Sequence, residues 1–422
     1  MYRITAPTCR DFRIDLPSSK SITHRALILS SLNLGTAEIN QPLFADDTKI
    51  TMTALRKLGS QIQQKNDRIY CTHPLGRIRQ NKIFLGNSGS SARFLIPVAA
   101  LVDKPVYFYG ESRLHQRPFA ELFAAMRKLG IQLEPTAQTL PVKVYPGPVS
   151  GGTITFKKLP SSQIISAFMM AAPWMQKDLT LLLPARTPSL PYITMTFKLM
   201  QRLGFSLSFE RRQITVTARK SNYNWSLHIE KDFSAASYWL ILAMINQSKL
   251  FLPGVYLPAL QGDARIFEIA EEMGSRVMLF SNRIEMEGDI NKGIRLDCSD
   301  IPDLVPALAV LALFAPQPSQ LMQIRHLEYK ESNRIAALQQ NIATLGGKSS
   351  YHNGNLTIYP QKTYHGGLIR THQDHRIAMS FAVAGTRIRD VIIDHPECVS
   401  KSYPDFWKHF PYFKRVKKGS TI

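Results

Sequence analysis

Ser161-Ser162-Gln163-Ile164-Ile165-Ser166-Ala167-Phe168-Met169-Met170-Ala171-Ala172 opens with three polar residues and is then apolar nearly all round. A surface helix would keep a polar face, so this run reads as a buried helix. Leu179 to Leu183 follows as a short buried strand. Tyr192 to Leu203 has apolar residues at helical spacing and stops at Gly204, which suits a C′ glycine. Phe205-Ser-Leu-Ser-Phe209 and Gln213-Ile-Thr-Val-Thr-Ala218 alternate as half-buried strands, with Arg211-Arg212 in the turn between them. With a strand ahead of the first helix, the order is β-α-β-α-β-β.

The same order recurs in both directions along the chain. Polar openings lie near Ser21, Ser90, Ser162, Ser234, Asp303 and His375, roughly 70 residues apart. Amphipathic runs stop at Leu58-Gly59, Leu129-Gly130, Leu203-Gly204, Met273-Gly274 and Leu345-Gly346. Closing hairpins are expected at Gln61–Cys71, Ile131–Tyr145, Arg276–Met286 and Lys348–Tyr359. The sixth unit is expected to end early, at Phe406-Trp-Lys-His-Phe410. Six copies in 422 residues indicate an α/β protein of two domains, each of three β-α-β-α-β-β units. The hairpin closure argues against a simple Rossmann sheet. No Gly-x-Gly-x-x-Gly and no Walker-type phosphate loop is present.

An apolar fraction of 44% is ample for cores of this size. Lys plus Arg is 52 against 31 for Asp plus Glu, a formal net charge of +21. That balance fits nucleic acid, a membrane surface or small acidic ligands. The charge is spread along the chain, and no Lys/Arg stripe interleaved with aromatics marks a nucleic-acid surface. The densest run, Lys414-Arg-Val-Lys-Lys418, reads as a solvated tail. Cys9, Cys71, Cys298 and Cys398 form no Cys-x-x-Cys pair, which suits a reducing compartment and argues against structural zinc. The first residues lack a signal peptide's apolar stretch, and the longest apolar run, Leu304 to Ala315, holds a proline and is too short to span a bilayer. A cytoplasmic protein without membrane contact is expected.

The openings differ in chemistry. In Leu16-Pro-Ser-Ser-Lys-Ser-Ile-Thr-His-Arg25, Ser19 can cap a helix while Lys20 and Arg25 face its start. Cations beside free N–H groups make an anion site, although a capped helix with Lys20 in solvent has the same pattern. In Leu85-Gly-Asn-Ser-Gly-Ser-Ser-Ala-Arg93, Gly86 and Gly89 allow close backbone approach. Arg117 precedes Pro118, a helix-initiating proline. Ser161, Ser162 and Gln163, with Ser189 and Tyr192, suit a hydroxylated or phosphorylated small molecule. Asp303, ahead of Leu304 to Ala315, is either a cap or a general base. Lys330, Glu331 and Arg334 put opposite charges within one turn, as an exposed stripe also would. Arg376 begins another apolar helix, where a buried charge is costly unless an anion pairs with it. If the openings face one cleft, Lys20, Arg25, Arg93, Arg117, Lys330, Arg334, Arg376 and Lys401 make it an anion trap, with Glu331 and Asp303 as acid and base.

From about Ile14 to Pro404 these clusters resemble, in order, the motifs of the 5-enolpyruvylshikimate-3-phosphate synthase (3-phosphoshikimate 1-carboxyvinyltransferase) family. The motifs are Pro-x-Ser-Lys-Ser…Arg, Leu-Gly-Asn-x-Gly-Ser, Arg-Pro, Ser-Ser-Gln, Gln-Gly-Asp (Gln261 to Asp263), Ile-Pro-Asp, Lys-Glu-Ser-x-Arg, Asp-His-Arg-x-Ala-Met and Lys-Ser-Tyr-Pro. The resemblance implies an inside-out α/β barrel in two domains, 19–228 on the shikimate 3-phosphate side and 1–18 plus 229–422, with the site between them. It implies transfer of the enolpyruvyl group of phosphoenolpyruvate to the 5-hydroxyl of shikimate 3-phosphate, through a tetrahedral intermediate and with release of phosphate, on the shikimate pathway.

It further implies that shikimate 3-phosphate is held by Lys20, Ser21, Arg25, Ser161, Ser162, Gln163, Ser189, Tyr192, Asp303, His326 and Lys330. Phosphoenolpyruvate is held by Lys20, Asn87, Gly89, Arg117, Gln163, Arg334, Arg376 and Lys401. Glu331 protonates the methylene carbon, Asp303 takes the hydroxyl proton and Lys20 balances the phosphate. No metal or organic cofactor is expected, and a monomer sensitive to glyphosate, lodged by Gly89, is.

Four residues depart from the family pattern: Ser18 for glycine, Gln116 for an acid, Asn333 for aspartate and His326 for asparagine. The last is expected to bear on shikimate 3-phosphate affinity or its pH dependence. The related transferase acting on UDP-N-acetylglucosamine needs a reactive cysteine before Arg117, and none lies between Cys71 and Cys298.

Overall fold

The computed structural model of the chain describes residues 1–8 and 11–416. They form six four-stranded sheets. In the third unit Gly152–Thr155 runs parallel to Leu179–Leu182, which pairs antiparallel with Gln213–Val216, and Leu207–Glu210 closes the edge. The helices Gln163–Ala171 and Leu190–Arg202 connect these strands. The second helix starts ahead of Tyr192 because Ser189 turns the chain at φ 59° and Pro191 sits in the first turn. The five stop glycines, Gly59, Gly130, Gly204, Gly274 and Gly346, all have φ between 78° and 119°, the left-handed conformation that ends a helix.

Two units depart from the simple order. Asp11–Arg13, upstream of the helix Lys20–Leu32, runs parallel to Lys249–Pro253 in the fourth sheet. Trp225–His228, upstream of the helix Phe233–Asn246, runs parallel to Ala37–Asn40 in the first. The two opening strands are thus exchanged. The chain divides into two compact units, Ser18–Glu230 and Met1–Pro17 with Lys231–Ile422. With the exchange, each unit supplies every strand of its own three sheets. The division falls at 17/18 and 230/231 rather than at 18/19 and 228/229. Backbone bonds explain the offset: Ile229 N–H donates to Asn40 O (3.0 Å) and Ser19 N–H to Glu230 O (2.8 Å), which keeps 229–230 with the first unit.

The sixth unit does not end early. After the short helix Phe406–His409 the chain adds Phe413–Arg415, which pairs with Tyr2–Ile4, and Tyr2–Ile4 pairs with Val391–Ile393. The chain's first and last strands therefore replace the hairpin. Tyr2 stacks on Phe413 (centroids 4.1 Å) and meets Trp407 edge-on (4.9 Å). Lys414 and Arg415 are exposed side chains on a paired strand, not a free tail, while Lys417, Lys418 and Cys9 lie outside the described residues.

Each unit buries three inner helices against one another. They are Lys20–Leu32, Gly89–Val98 and Gln163–Ala171 in the first, and Phe233–Asn246, Val305–Leu313 and His375–Ala384 in the second. Nearly every residue of each is buried, including the polar Thr23, His24, Arg25, Ser30 and Ser31 of the first, so none has a broad solvent face. No helix among the described residues is long and apolar enough to cross a membrane.

Candidate active site

None of the six inner helices carries an acidic residue in its first turn. Aspartate or glutamate there would complement the helix dipole. Asp232 and Asp374 cap two of the six from outside the first turn, and several of the starts carry cations.

In Ser18–Glu230, Ser19 caps the first helix by accepting from Ile22 N–H, and Lys20 Nζ lies 3.1 Å from Asp47 Oδ2. Lys20 is not in solvent: its side chain is 12% exposed. Arg25 is buried and donates to Thr196 Oγ1 (2.6 Å), Ser21 O (2.8 Å), Tyr192 O (3.1 Å) and Ser166 Oγ (3.3 Å). These are neutral oxygens. Burial pulls its pKa down to about 10, so it stays cationic at neutral pH. Arg93, also buried, donates to Gln163 Oε1 (3.0 Å), and Gln163 Nε2 donates to Ser90 Oγ (2.8 Å), which fixes the amide between two helix starts. Gly89 faces Arg117, itself 5% exposed: a Cβ on Gly89 would lie 2.5 Å from the guanidinium carbon. Asn87 follows Gly86, whose φ of 53° makes the turn into that helix. Ser161 Oγ accepts from Gln163 N–H (3.3 Å), while Ser162 and Ser189 are buried.

The unit containing Lys231–Ile422 gathers a denser charge cluster. Asp303 does not cap its helix. Its carboxylate accepts from Arg376 Nη2 (2.7 Å) and Arg334 Nη1 (3.1 Å), and Lys330 Nζ is 3.9 Å away. Arg334, 1% exposed, also donates to Glu331 Oε2 (2.7 Å) and, through Nε, to Asp374 Oδ2 (2.9 Å). The Lys330-Glu331-Arg334 group is therefore not a surface stripe. Burial would raise the Asp303 pKa, but Arg376, Lys330 and Arg334 outweigh it and hold the carboxyl well below the usual range. Burial would lower the Arg334 pKa, but Asp374, Glu331 and Asp303 outweigh it and raise it. Lys401 ends the turn Pro396–Lys401, and His326 lies in the turn Arg325–Tyr329.

The family model described as EPSP synthase (3-phosphoshikimate 1-carboxyvinyltransferase) matches residues 8–410. The chain belongs to the EPSP synthase family. A 3-phosphoshikimate 1-carboxyvinyltransferase of Methanospirillum hungatei is 35% identical over 427 residues, covering 99% of this chain and 98% of the relative. One of Syntrophobacter fumaroxidans is 36% identical, covering 95% and 97%. An EPSP synthase structure from Acinetobacter baumannii shares the fold, with a TM-score of 0.81 at 23% identity over 97% of each chain.

Four partners in this EPSP synthase family member escaped the sequence reading. Asp47 holds Lys20, Thr196 and Ser166 hold Arg25, and Asp374 holds Arg334 while capping the helix His375–Ala384 through Arg376 N–H (3.0 Å). Asp374 stood inside a quoted motif, but nothing local to it pointed to Arg334. His326, one of the four departures from the EPSP synthase pattern, is neutral near pH 7. Burial and then Lys330 lower its pKa to about 4. The neutral form is favoured in the fold, so its contribution to stability is fully present above the unfolded value near 6.5 and is lost progressively as pH falls from there through about 4. A pH titration of activity should therefore run parallel for wild type and His326→Asn between about pH 6 and 8. A wild-type inflection in that window that the variant lacks would refute this.

Proposed function

We propose that the chain transfers the enolpyruvyl group of phosphoenolpyruvate to the 5-hydroxyl of shikimate 3-phosphate and releases phosphate. The observation that carries this reading is the starts of Lys20–Leu32 and Gly89–Val98, which have serine caps, no first-turn acid and the buried cations Arg25 and Arg93, a setting that suits polyanionic substrates.

Lys20, Ser21, Arg25, Ser161, Ser162, Gln163, Ser189, Tyr192, Asp303, His326 and Lys330 bind shikimate 3-phosphate in this reading. Lys20, Asn87, Gly89, Arg117, Gln163, Arg334, Arg376 and Lys401 bind phosphoenolpyruvate. As the 5-oxygen bonds to C2 of phosphoenolpyruvate, its proton passes to Asp303 and the methylene carbon takes a proton from Glu331. The resulting tetrahedral intermediate returns a methyl proton to Glu331 as the C–O bond to phosphate breaks. The cations stabilise charge that builds in this transition state, and Lys20 balances the departing phosphate. The two compact units act as the two domains of a cytoplasmic monomer.

Phosphate release with phosphoenolpyruvate plus shikimate 3-phosphate tests the reading. Release that instead requires UDP-N-acetylglucosamine would replace it with the other transferase. That alternative lacks its thiol, because no cysteine lies between Cys71 and Cys298, which are both buried.

Glyphosate is proposed as an inhibitor competing with phosphoenolpyruvate beside Gly89. Gly89→Ala drives a methyl into the Arg117 guanidinium. Steady-state kinetics should show kcat/KM for phosphoenolpyruvate falling by about 10- to 100-fold, with a larger loss of glyphosate affinity. No loss for either would separate Arg117 from both ligands, and equal losses would mean that glyphosate is not the more crowded of the two.

A further inference from the structure

Arg334 and Arg376, both assigned to phosphoenolpyruvate above, already hold carboxylates. Their situations differ. Arg334 keeps Asp374 and Glu331 if Asp303 lets go. Arg376 donates to the Asp303 carboxylate at 2.7 Å, to the Asp303 carbonyl at 3.3 Å and to the neutral Tyr238 hydroxyl at 3.4 Å, and its charge also acts on Asp263. An incoming anion must therefore compete with Asp303 for Arg376. Held between these cations, Asp303 is a poor proton acceptor, because a base needs basicity near the working pH.

We propose that Asp303 is the internal occupant of an anion site built by Arg376 and Arg334. An anionic group of phosphoenolpyruvate displaces it from Arg376, and the released carboxylate takes the 5-hydroxyl proton of shikimate 3-phosphate. The proposal rests on the reading of Asp303 as the base. The exchange swaps one charge-assisted hydrogen bond for another, so Arg376 is not left as an uncompensated buried charge.

The groups facing Asp303 favour the change once Arg376 is engaged elsewhere. Arg334 and Lys330 favour the ionised Asp303 and Glu331 opposes it, while His326 and the Tyr238 hydroxyl carry no charge at neutral pH. Loss of the Arg376 pairing leaves Glu331 opposing ionisation against fewer cations. Proton acceptance is thereby tied to the presence of the second substrate, and the 5-hydroxyl is not deprotonated before its electrophile has arrived.

The distinguishing test is Asp303→Asn, titrated calorimetrically with phosphoenolpyruvate alone. Removing the internal competitor should tighten binding by about tenfold while turnover collapses. Binding that is unchanged, weaker or absent in the variant overturns the proposal. Tighter binding with turnover intact removes Asp303 from the proton transfer and defeats the underlying reading instead. Should the variant not fold, wild-type protein labelled at the aspartate carboxyl carbons decides. The Asp303 signal should titrate about one pH unit or more higher with saturating phosphoenolpyruvate, and an unmoved titration overturns the proposal.

Discussion

Glu331→Gln is expected to cut phosphate release from phosphoenolpyruvate plus shikimate 3-phosphate by about 10²- to 10⁴-fold, the range for loss of a positioned general acid. Glutamine keeps the size of the side chain and can still accept from Arg334 Nη2, which holds Glu331 Oε2 at 2.7 Å. It has no acidic proton to give the methylene carbon. Arg334 retains Asp374 and Asp303, so the cluster keeps most of its charge pairing. The informative readout is kcat against KM for phosphoenolpyruvate. A group that acts only in the transition state lowers kcat and kcat/KM together. A rise in KM with kcat preserved would show Glu331 to be an orienting partner of Arg334 and no acid at all.

Asp374→Ala is expected to be at least as severe, but through the fold. The carboxylate is fully buried and accepts from Arg334 Nε, Ser332 Oγ (3.0 Å) and Arg376 N–H. Removing one partner of a buried ion pair costs roughly 3–5 kcal/mol, because the other charge stays desolvated. The helix His375–Ala384 also loses its cap, worth about 1 kcal/mol. Glu331 and Asp303 still neutralise Arg334, which places the expected loss at the lower end of that range. Urea denaturation should report it as a lower midpoint at unchanged slope. Asp374→Asn, which keeps the cap acceptor but not the charge, should recover about 1 kcal/mol. Equal stability for Ala and wild type would mean that Arg334 finds its compensation elsewhere.

How much of this was legible from residues alone follows from the range of each interaction. The inner helices were legible because an all-round apolar run such as Val305–Leu313 has one stable placement, and the outer helices of the first five units announce their ends with a glycine. Cations at the helix starts were legible for a similar reason, since the dipole and the charge lie within one turn. The partners were not. Lys20 meets Asp47 across 27 positions, Arg334 meets Asp374 across 40, and Arg376 meets Asp303 across 73. No periodicity encodes such pairs. The strand exchange was hidden for the same reason. Asp-Phe-Arg at 11–13 alternates as any edge strand does, and its sequence does not say which sheet it joins.

Pairing of the chain's opening strand with its closing one has a consequence for synthesis. Ser18–Glu230 is contiguous, so all its strands are available once residue 230 has left the ribosome. Tyr2–Ile4 and Asp11–Arg13 emerge first, yet their partners are made much later: Lys249–Pro253 for one, Phe413–Arg415 for the other. At about 5–20 residues per second, Tyr2–Ile4 waits roughly 20–80 s for its outer neighbour. For that time it is an unpaired strand tethered to a unit that can already have folded. During synthesis the risk of mispairing therefore falls on Tyr2–Ile4, whose partners on both sides, Val391–Ile393 and Phe413–Arg415, are made last.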